Sequence, residues 1–208
     1  MSFSATERTR LADLLIDVGP TAPTLCEGWD TRDMAIHLYL RENRPLAAAG
    51  MFVPALAGQL AKASAKTAER DYEEVVREWA AGPGTLNPVR FVDKQMNTAE
   101  HFVHHEDVRR GDGVARPREF SAAVNKQLHG IVKMLAPRLL KDSEAPVILH
   151  PEGLPRIVAV DERGVSEDGE NVVSVSGAVG EILLWVFGRD VVEVRIDGNP
   201  ADAHRGGL

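Results

Sequence analysis

The fold of this chain is limited most by a change of texture close to residue 142. Before it, apolar residues recur at helical spacing between Gly and Pro breaks. After it, the short β-branched runs APVILHP, RIVAV, NVVSVSG and VVEVRIDG stand between Gly, Pro, Asp and Asn residues, which is how strands read. A helix-only stretch followed by a strand-rich one predicts two packed domains of the α+β class. The expected division is a helical domain over residues 1–142 and a small α/β domain over residues 143–208.

Within the first stretch, Ser4 is placed to cap ATERTRLADLLIDV, and Gly19-Pro20 stops that helix. Asp30 or Thr31 caps a second helix, TRDMAIHLYLRENR, closed by Pro45. Residues 45–70 are rich in Ala and contain Gly50, Pro54 and Gly58, so they predict short or broken helical pieces. DYEEVVREWAA forms a further helix, ended by GPGTLNP. A long helix follows from about Phe91 to Arg110, stopping at GDG. The last helix, from near Ser121 to near Lys141, contains Pro137, which should kink or shorten it. Between the final two strand-like runs, AVGEILLWVFGR is long enough for one amphipathic helix.

Composition narrows the function classes. With 44% apolar residues in 208, the chain can bury a substantial core. No apolar run approaches the roughly 18 residues that span a bilayer, and the first residues carry charge where a signal peptide would be apolar. The single cysteine, Cys26, leaves no intramolecular disulfide to form. A cytoplasmic protein is expected. Thirty-one acidic against 24 basic residues give a net charge of −7, which repels a phosphate backbone. Neither nucleic acid nor membrane is expected as a partner; small molecules are, and a homo-oligomer is left open.

The most informative segment is TAEHFVHHEDVRR, with three histidines and three carboxylates in one predicted helix. Glu100 with His104, or His101 with His105, could bind one metal ion from a single face. At roughly 100° per residue, Val92, Met96, Ala99 and Val103 form an apolar stripe with Glu100 and His104 along its edge, while His101 and His105 fall roughly opposite, beside Lys94 and Arg109. A carboxylate and an imidazole turned toward a core need compensation, and a metal ion would supply it. A solvated, charge-rich helix face is the competing interpretation. His37, in the apolar setting MAIHLYL, would complete a His₂Glu set that leaves one coordination position for water or substrate, although a lone histidine of this kind is more often a satisfied core residue. Zinc suits such nitrogen and oxygen ligands best, with nickel, manganese and iron also compatible. Asp107 could orient a ligand, or else pair with Arg109 or Arg110. Cys26 reads as a buried small residue, Trp29 as a staple between loop and helix, and His129, His150 and His204 as structural or surface groups.

GWDTRDMAIHL, followed by AEHFVHHEDVRR, resembles the DinB-like metal-binding helical bundles and, among them, the mycothiol-dependent maleylpyruvate isomerase-like proteins. The resemblance implies an up-down four-helix bundle with zinc held by His37, Glu100 and His104, the three residues that periodicity also favours. SGAVGEILLWVFGR is similar to the signature of that family's sterol-carrier-like C-terminal domain, and Arg189 matches the arginine which in the isomerases reaches the metal site. Its planar fork would hold a substrate carboxylate; a helix-terminal arginine meeting its own dipole is the alternative. Glu106, Arg109 and Arg110 look more like a metal-binding branch apart from the isomerases themselves, so fold and metal transfer more safely than reaction.

The leading expectation is a metal-dependent transferase or isomerase in which zinc, or another divalent ion such as nickel, activates a low-molecular-weight thiol, mycothiol, toward an electrophilic substrate. Asn97, a turn before Glu100, would hydrogen-bond a ligand at the mouth of the site. Metal-assisted hydrolysis is a second reading, and a non-catalytic metal or small-molecule binding module a third.

Overall fold

The structure, a computed structural model, describes residues 2–82, 94–161 and 171–206. Among them are eight α-helices and one four-stranded sheet, an α+β fold. The chain divides into two compact units, Met1–Gly113 and Val114–Leu208. No helix among the described residues is long and apolar enough to cross a membrane.

The first unit contains α1 (Phe3–Val18), α2 (Thr31–Asn43), α3 (Pro45–Ala48), α4 (Ala57–Ala68), α5 (Tyr72–Ala80) and α6 (Lys94–Arg109). Ser2, rather than Ser4, caps α1 by accepting from the Ala5 N–H. The earlier start brings Phe3 within a 6.3 Å ring-centroid distance of Phe102 on α6. A capping box opens α2: Asp30 accepts from the Arg32 and Asp33 N–H groups, and Asp33 accepts from the Asp30 N–H. Pro45 takes the first position of α3, so α2 ends at Asn43. Residues 45–70 do form short pieces, α3 and two 3-10 turns, before α4. Residues 91–93, where the sixth helix was expected to begin and where Val92 stands, lie outside the described residues.

Helix α1 packs on α5 and α6, and α2 on α3, α4 and α5. The core between them is built from Leu11, Leu15, Met34, Leu38, Val76 and Trp79, with their apolar neighbours. Helix α6 is buried well beyond its apolar stripe. His101 and His105, which periodicity sets opposite that stripe, are 2% and 5% exposed. Carboxylates on the neighbouring helices explain this. His101 Nε2 meets Glu42 Oε1 at 3.1 Å, and His105 Nδ1 meets Glu7 Oε2 at 2.8 Å. Glu42 also accepts from Trp79 Nε1 at 3.0 Å and from Arg8 at 2.6 Å, so each buried polar group has partners that offset its lost hydration.

The second unit contains α7 (Ala122–Leu139), β1 (Val147–Pro151), β2 (Ile157–Val160), β3 (Val173–Gly177), α8 (Val179–Val186) and β4 (Val194–Asp197). The strand order is β2-β1-β3-β4. Strand β1 runs parallel to β3 and antiparallel to β2, and β3 pairs antiparallel with β4. In β3, Val173 and Val175 point into the core while Ser174 and Ser176 are half-buried, the period of two that sets register.

Two sequence expectations shift here. Helix α7 buries Leu128, Ile131, Val132 and Leu135 and packs on α8 and β2. The units therefore divide at Gly113, ahead of the expected 142/143 boundary, because an apolar helix face read from sequence does not say which layer it covers. Helix α8 is buried at all of its positions rather than amphipathic, lying between the sheet and α7. Gly188, at φ 83°, closes α8, with its N–H bonded to the Trp185 carbonyl and that of Arg189 to Leu184; this left-handed closure favours glycine. Pro137 falls in the last turn of α7, which ends at Leu139.

Candidate metal centre

Two helices and one loop of the first unit bring the reactive side chains together. On α2, His37 and Arg41 are one turn apart. On α6, Asn97, Glu100, His104 and Asp107 recur at spacings of three and four, so each set shares one helix face. The loop between α1 and α2 adds Cys26 and Trp29. It is tied to the end of α6 by the Leu25 N–H, which donates to the Asp107 carbonyl at 3.0 Å. Gly111 permits this approach, since a Cβ there would overlap the Pro23 carbonyl.

His37, Glu100 and His104 converge. His37 Nε2 lies 3.8 Å and His104 Nε2 3.4 Å from the same oxygen, Glu100 Oε2. One donor atom from each residue lies within 4.8 Å of the others. Around a tetrahedral ion with bonds of about 2.0–2.2 Å, neighbouring ligand atoms stand roughly 3.4 Å apart, so the spacing suits a ligand set. His37 Nε2 is sealed from solvent and has no hydrogen-bond partner, and its 3.8 Å separation from Glu100 is too long for a hydrogen bond. An orphaned buried nitrogen is costly, and a cation between His37 and Glu100 would satisfy it. The residues present therefore fit a divalent metal.

His104 is oriented from behind. Its Nδ1 lies 3.0 Å from Asp107 Oδ2, where it donates, which turns Nε2 toward Glu100. This is the carboxylate–histidine pairing that orients metal ligands. Cys26 is half-buried and donates its thiol to the same Asp107 oxygen at 3.3 Å. It is thus a polar partner of the site rather than the inert small residue expected. Cys26, His104 and Asp107 form a second group with donors close enough for one ion, sharing His104 with the first. Trp29 stands 5.1 Å from the His37 ring. A cavity of about 390 Å³ begins at these two residues and runs along Ile36, Leu40, Met51 and Leu60.

The electrostatics favour ligation. Burial lowers the pKa of His37, helped by the positive charges of His104 and Arg41 and only partly opposed by Glu100, so its imidazole is neutral near pH 7. Burial alone would raise Glu100, yet His104, His37 and Arg41 hold it well below the usual carboxylate range. Burial would likewise lower His104, but Asp107, Cys26 and Glu100 raise it well above 6.5. Two of the three residues thus stand in the state a metal requires, and the third holds a proton that a metal would displace.

The remaining expected site residues have other partners. Asn97 Oδ1 accepts from Arg41 Nη1 at 2.9 Å. Arg189, in the second unit, is half-buried and donates through Nη1 to the Phe187 carbonyl at 2.7 Å, at the end of α8. His129 bonds the Pro155 carbonyl, and His204 lies 3.8 Å from Glu144. Sequence reasoning missed Arg41, whose Nε is 3.3 Å from Glu100 Oε2. Its position one turn after His37 was the available signal. The link between Cys26 and Asp107 carried none, because 81 residues separate them.

The molecule thus combines a helical unit carrying a candidate His–Glu–His metal centre with a small α/β unit. Its fold is similar to the crystal structure of the mycothiol-dependent maleylpyruvate isomerase, with a TM-score of 0.61 over 97% of this chain and 93% of that one. It is similar also to a histidine-to-alanine mutant of that isomerase, with a TM-score of 0.59 and the same coverage. Identity to each is 14%, so the likeness is one of fold. No family model matches the chain, and no curated protein matches it in sequence.

Proposed function

We propose that this chain is a metal-dependent enzyme acting on a low-molecular-weight thiol, with mycothiol as the thiol and a transferase or isomerase reaction on an electrophilic carbon. The observation that carries this reading is the buried, unpartnered His37 Nε2 facing Glu100 Oε2, beside His104 Nε2. The fold likeness to a mycothiol-dependent isomerase favours a thiol over water as the group to be activated. A zinc or nickel ion bound here would lower the pKa of a thiol, so that a nucleophile exists at neutral pH.

The chain's own residues divide the remaining work. His37, Glu100 and His104 form the ligand set, and Asp107 fixes the His104 ring so that its Nε2 lone pair is available. Trp29, Ile36, Leu40 and Met51 wall a cavity that suits the apolar body of a small substrate beside His37. Arg189 is the candidate for holding a substrate carboxylate through its planar fork. Asn97 acts through Arg41, whose guanidinium it anchors.

The test is a thiol titration of cobalt-loaded protein. A thiolate-to-cobalt charge-transfer absorption should grow to one equivalent of thiol. Cobalt that binds stoichiometrically yet shows no such band with any thiol, together with ester or amide hydrolysis in its presence, would favour metal-assisted hydrolysis instead. A cleft in the second unit, lined by Trp185, Val192, Ile196 and the Arg205–Asp190 ion pair, has a volume of about 250 Å³, and binding of an acyl lipid that survives removal of the metal would favour the carrier reading.

A further inference from the structure

Among the described residues, Arg41 is the cation whose guanidinium touches the proposed ligand set, and the ligand assignment does not use it. Its Nε is 3.3 Å from Glu100 Oε2, the oxygen that His37 and His104 also face. Its Nη1 donates to Asn97 Oδ1 at 2.9 Å. A guanidinium carries five N–H donors; one is hydrogen-bonded to Asn97, and Nε faces Glu100 as an ion pair. No further partner for Arg41 occurs among the described residues. None of its nitrogens is both sealed and unsatisfied, so the free edge of the fork reaches solvent although the side chain is only 16% exposed.

The charges around this edge decide what it can bind. Arg41 already matches the single negative charge of Glu100. A divalent cation between His37, Glu100 and His104 would therefore leave the group positive, with Asp107 behind His104 offsetting part of the excess. In a site this enclosed, such an excess is relieved by an anion, and a forked donor edge is what an anion recognises best.

We propose that Arg41 is a specificity-determining residue that selects an anionic donor as the ligand joining the ion, and that metal and anion in consequence bind with positive cooperativity. This rests on the metal-centre reading above. Asn97 is the positioning residue: by holding Nη1 it keeps the free edge of the fork turned outward. The ligand class is a compact anion, thiolate or carboxylate, in preference to a neutral nitrogen donor of similar size.

The experiment uses full-length protein loaded with Co²⁺ in a weakly coordinating buffer. Sodium azide and, separately, imidazole are titrated while cobalt absorption is followed, in wild type, Arg41→Gln and Asn97→Asp. Azide is the anionic probe and imidazole the neutral one. Arg41→Gln should weaken azide by about tenfold or more, the effect of one charge-assisted hydrogen bond, and leave imidazole within about twofold, inside the spread of a neutral contact. Asn97→Asp, which sets a second carboxylate against Arg41, should weaken azide in the same sense and serves if Arg41→Gln does not fold. By reciprocity, azide should tighten Co²⁺ binding in wild type and not in Arg41→Gln.

A merely structural counter-ion for Glu100 would shift metal affinity and stability but not the azide-to-imidazole ratio. Equal shifts for the two probes in both variants overturn the proposal while leaving the metal centre intact. Failure of wild-type protein to take up Co²⁺ overturns both.

Discussion

His37 Nε2 and Glu100 Oε2 face each other across 3.8 Å, on helices α2 and α6, with the nitrogen sealed from solvent and unpartnered. His37 Nε2 makes no hydrogen bond there, and a cation held between the two residues would satisfy it. Its first consequence is thermal: divalent metal should stabilise the folded chain. Zinc at about a hundred times its dissociation constant should add roughly 2.7 kcal/mol, read as a rise in Tm. Glu100→Ala should melt at the same temperature with and without zinc.

Asp107 should matter to metal affinity without being required for the first-unit fold. It accepts from His104 Nδ1 at 3.0 Å and from Cys26 at 3.3 Å. Asp107→Asn keeps the shape but no longer fixes the ring or its basicity, so zinc should bind about 10–100-fold more weakly, as measured by chelator competition. Unchanged affinity would remove Asp107 from the site.

Stability should respond to acid through Glu42. Burial alone would raise its pKa, but hydrogen bonds from His101 and Arg8 and their charges outweigh this and hold it below 4.5. A carboxyl depressed on folding contributes stability that is fully present above its unfolded value and is lost as pH falls through the folded one. Wild-type protein should therefore lose stability progressively below about pH 4.5, near the ordinary carboxyl value. Glu42→Ala, which strands Arg8, His101 and Trp79 Nε1, should cost about 3 kcal/mol at pH 7 and flatten that acid limb. Urea unfolding at several pH values measures both.

Gly111 ties the Cys26–Trp29 loop to the end of α6 because only hydrogen fits against the Pro23 carbonyl. Gly111→Ala should destabilise by about 2 kcal/mol, the order of an overpacked contact. It should also displace the loop from Asp107 and weaken zinc binding. A variant with wild-type Tm and wild-type zinc affinity would show that the contact is loose.

Much of this was legible from local chemistry. Helical spacing placed α1, α2 and α5, the Asp30 cap set the start of α2, and β-branched runs placed all four strands, because these are properties of neighbouring residues. His37, Glu100 and His104 were chosen by periodicity and by resemblance, and the three side chains do meet. What was not legible depends on partners distant in sequence. His101 and His105 read as an outward face because Glu42 and Glu7, which bury them, lie on other helices. Helix α7 was assigned to the helical domain because its apolar face fits a bundle as well as it fits α8. Arg41 was overlooked because an arginine near a helix end is ordinarily a surface charge, and only the position of Glu100 turns it into part of a site.

The most direct measurement is the metal content of protein purified without chelators, by elemental analysis, for wild type, His37→Ala and His104→Ala. One equivalent of divalent metal in wild type and less than about a tenth in each variant is expected when one of three ligands is lost. Stoichiometric metal retained in both variants, or a folded wild-type protein that takes up no divalent metal at all, would contradict the assignment of His37, Glu100 and His104.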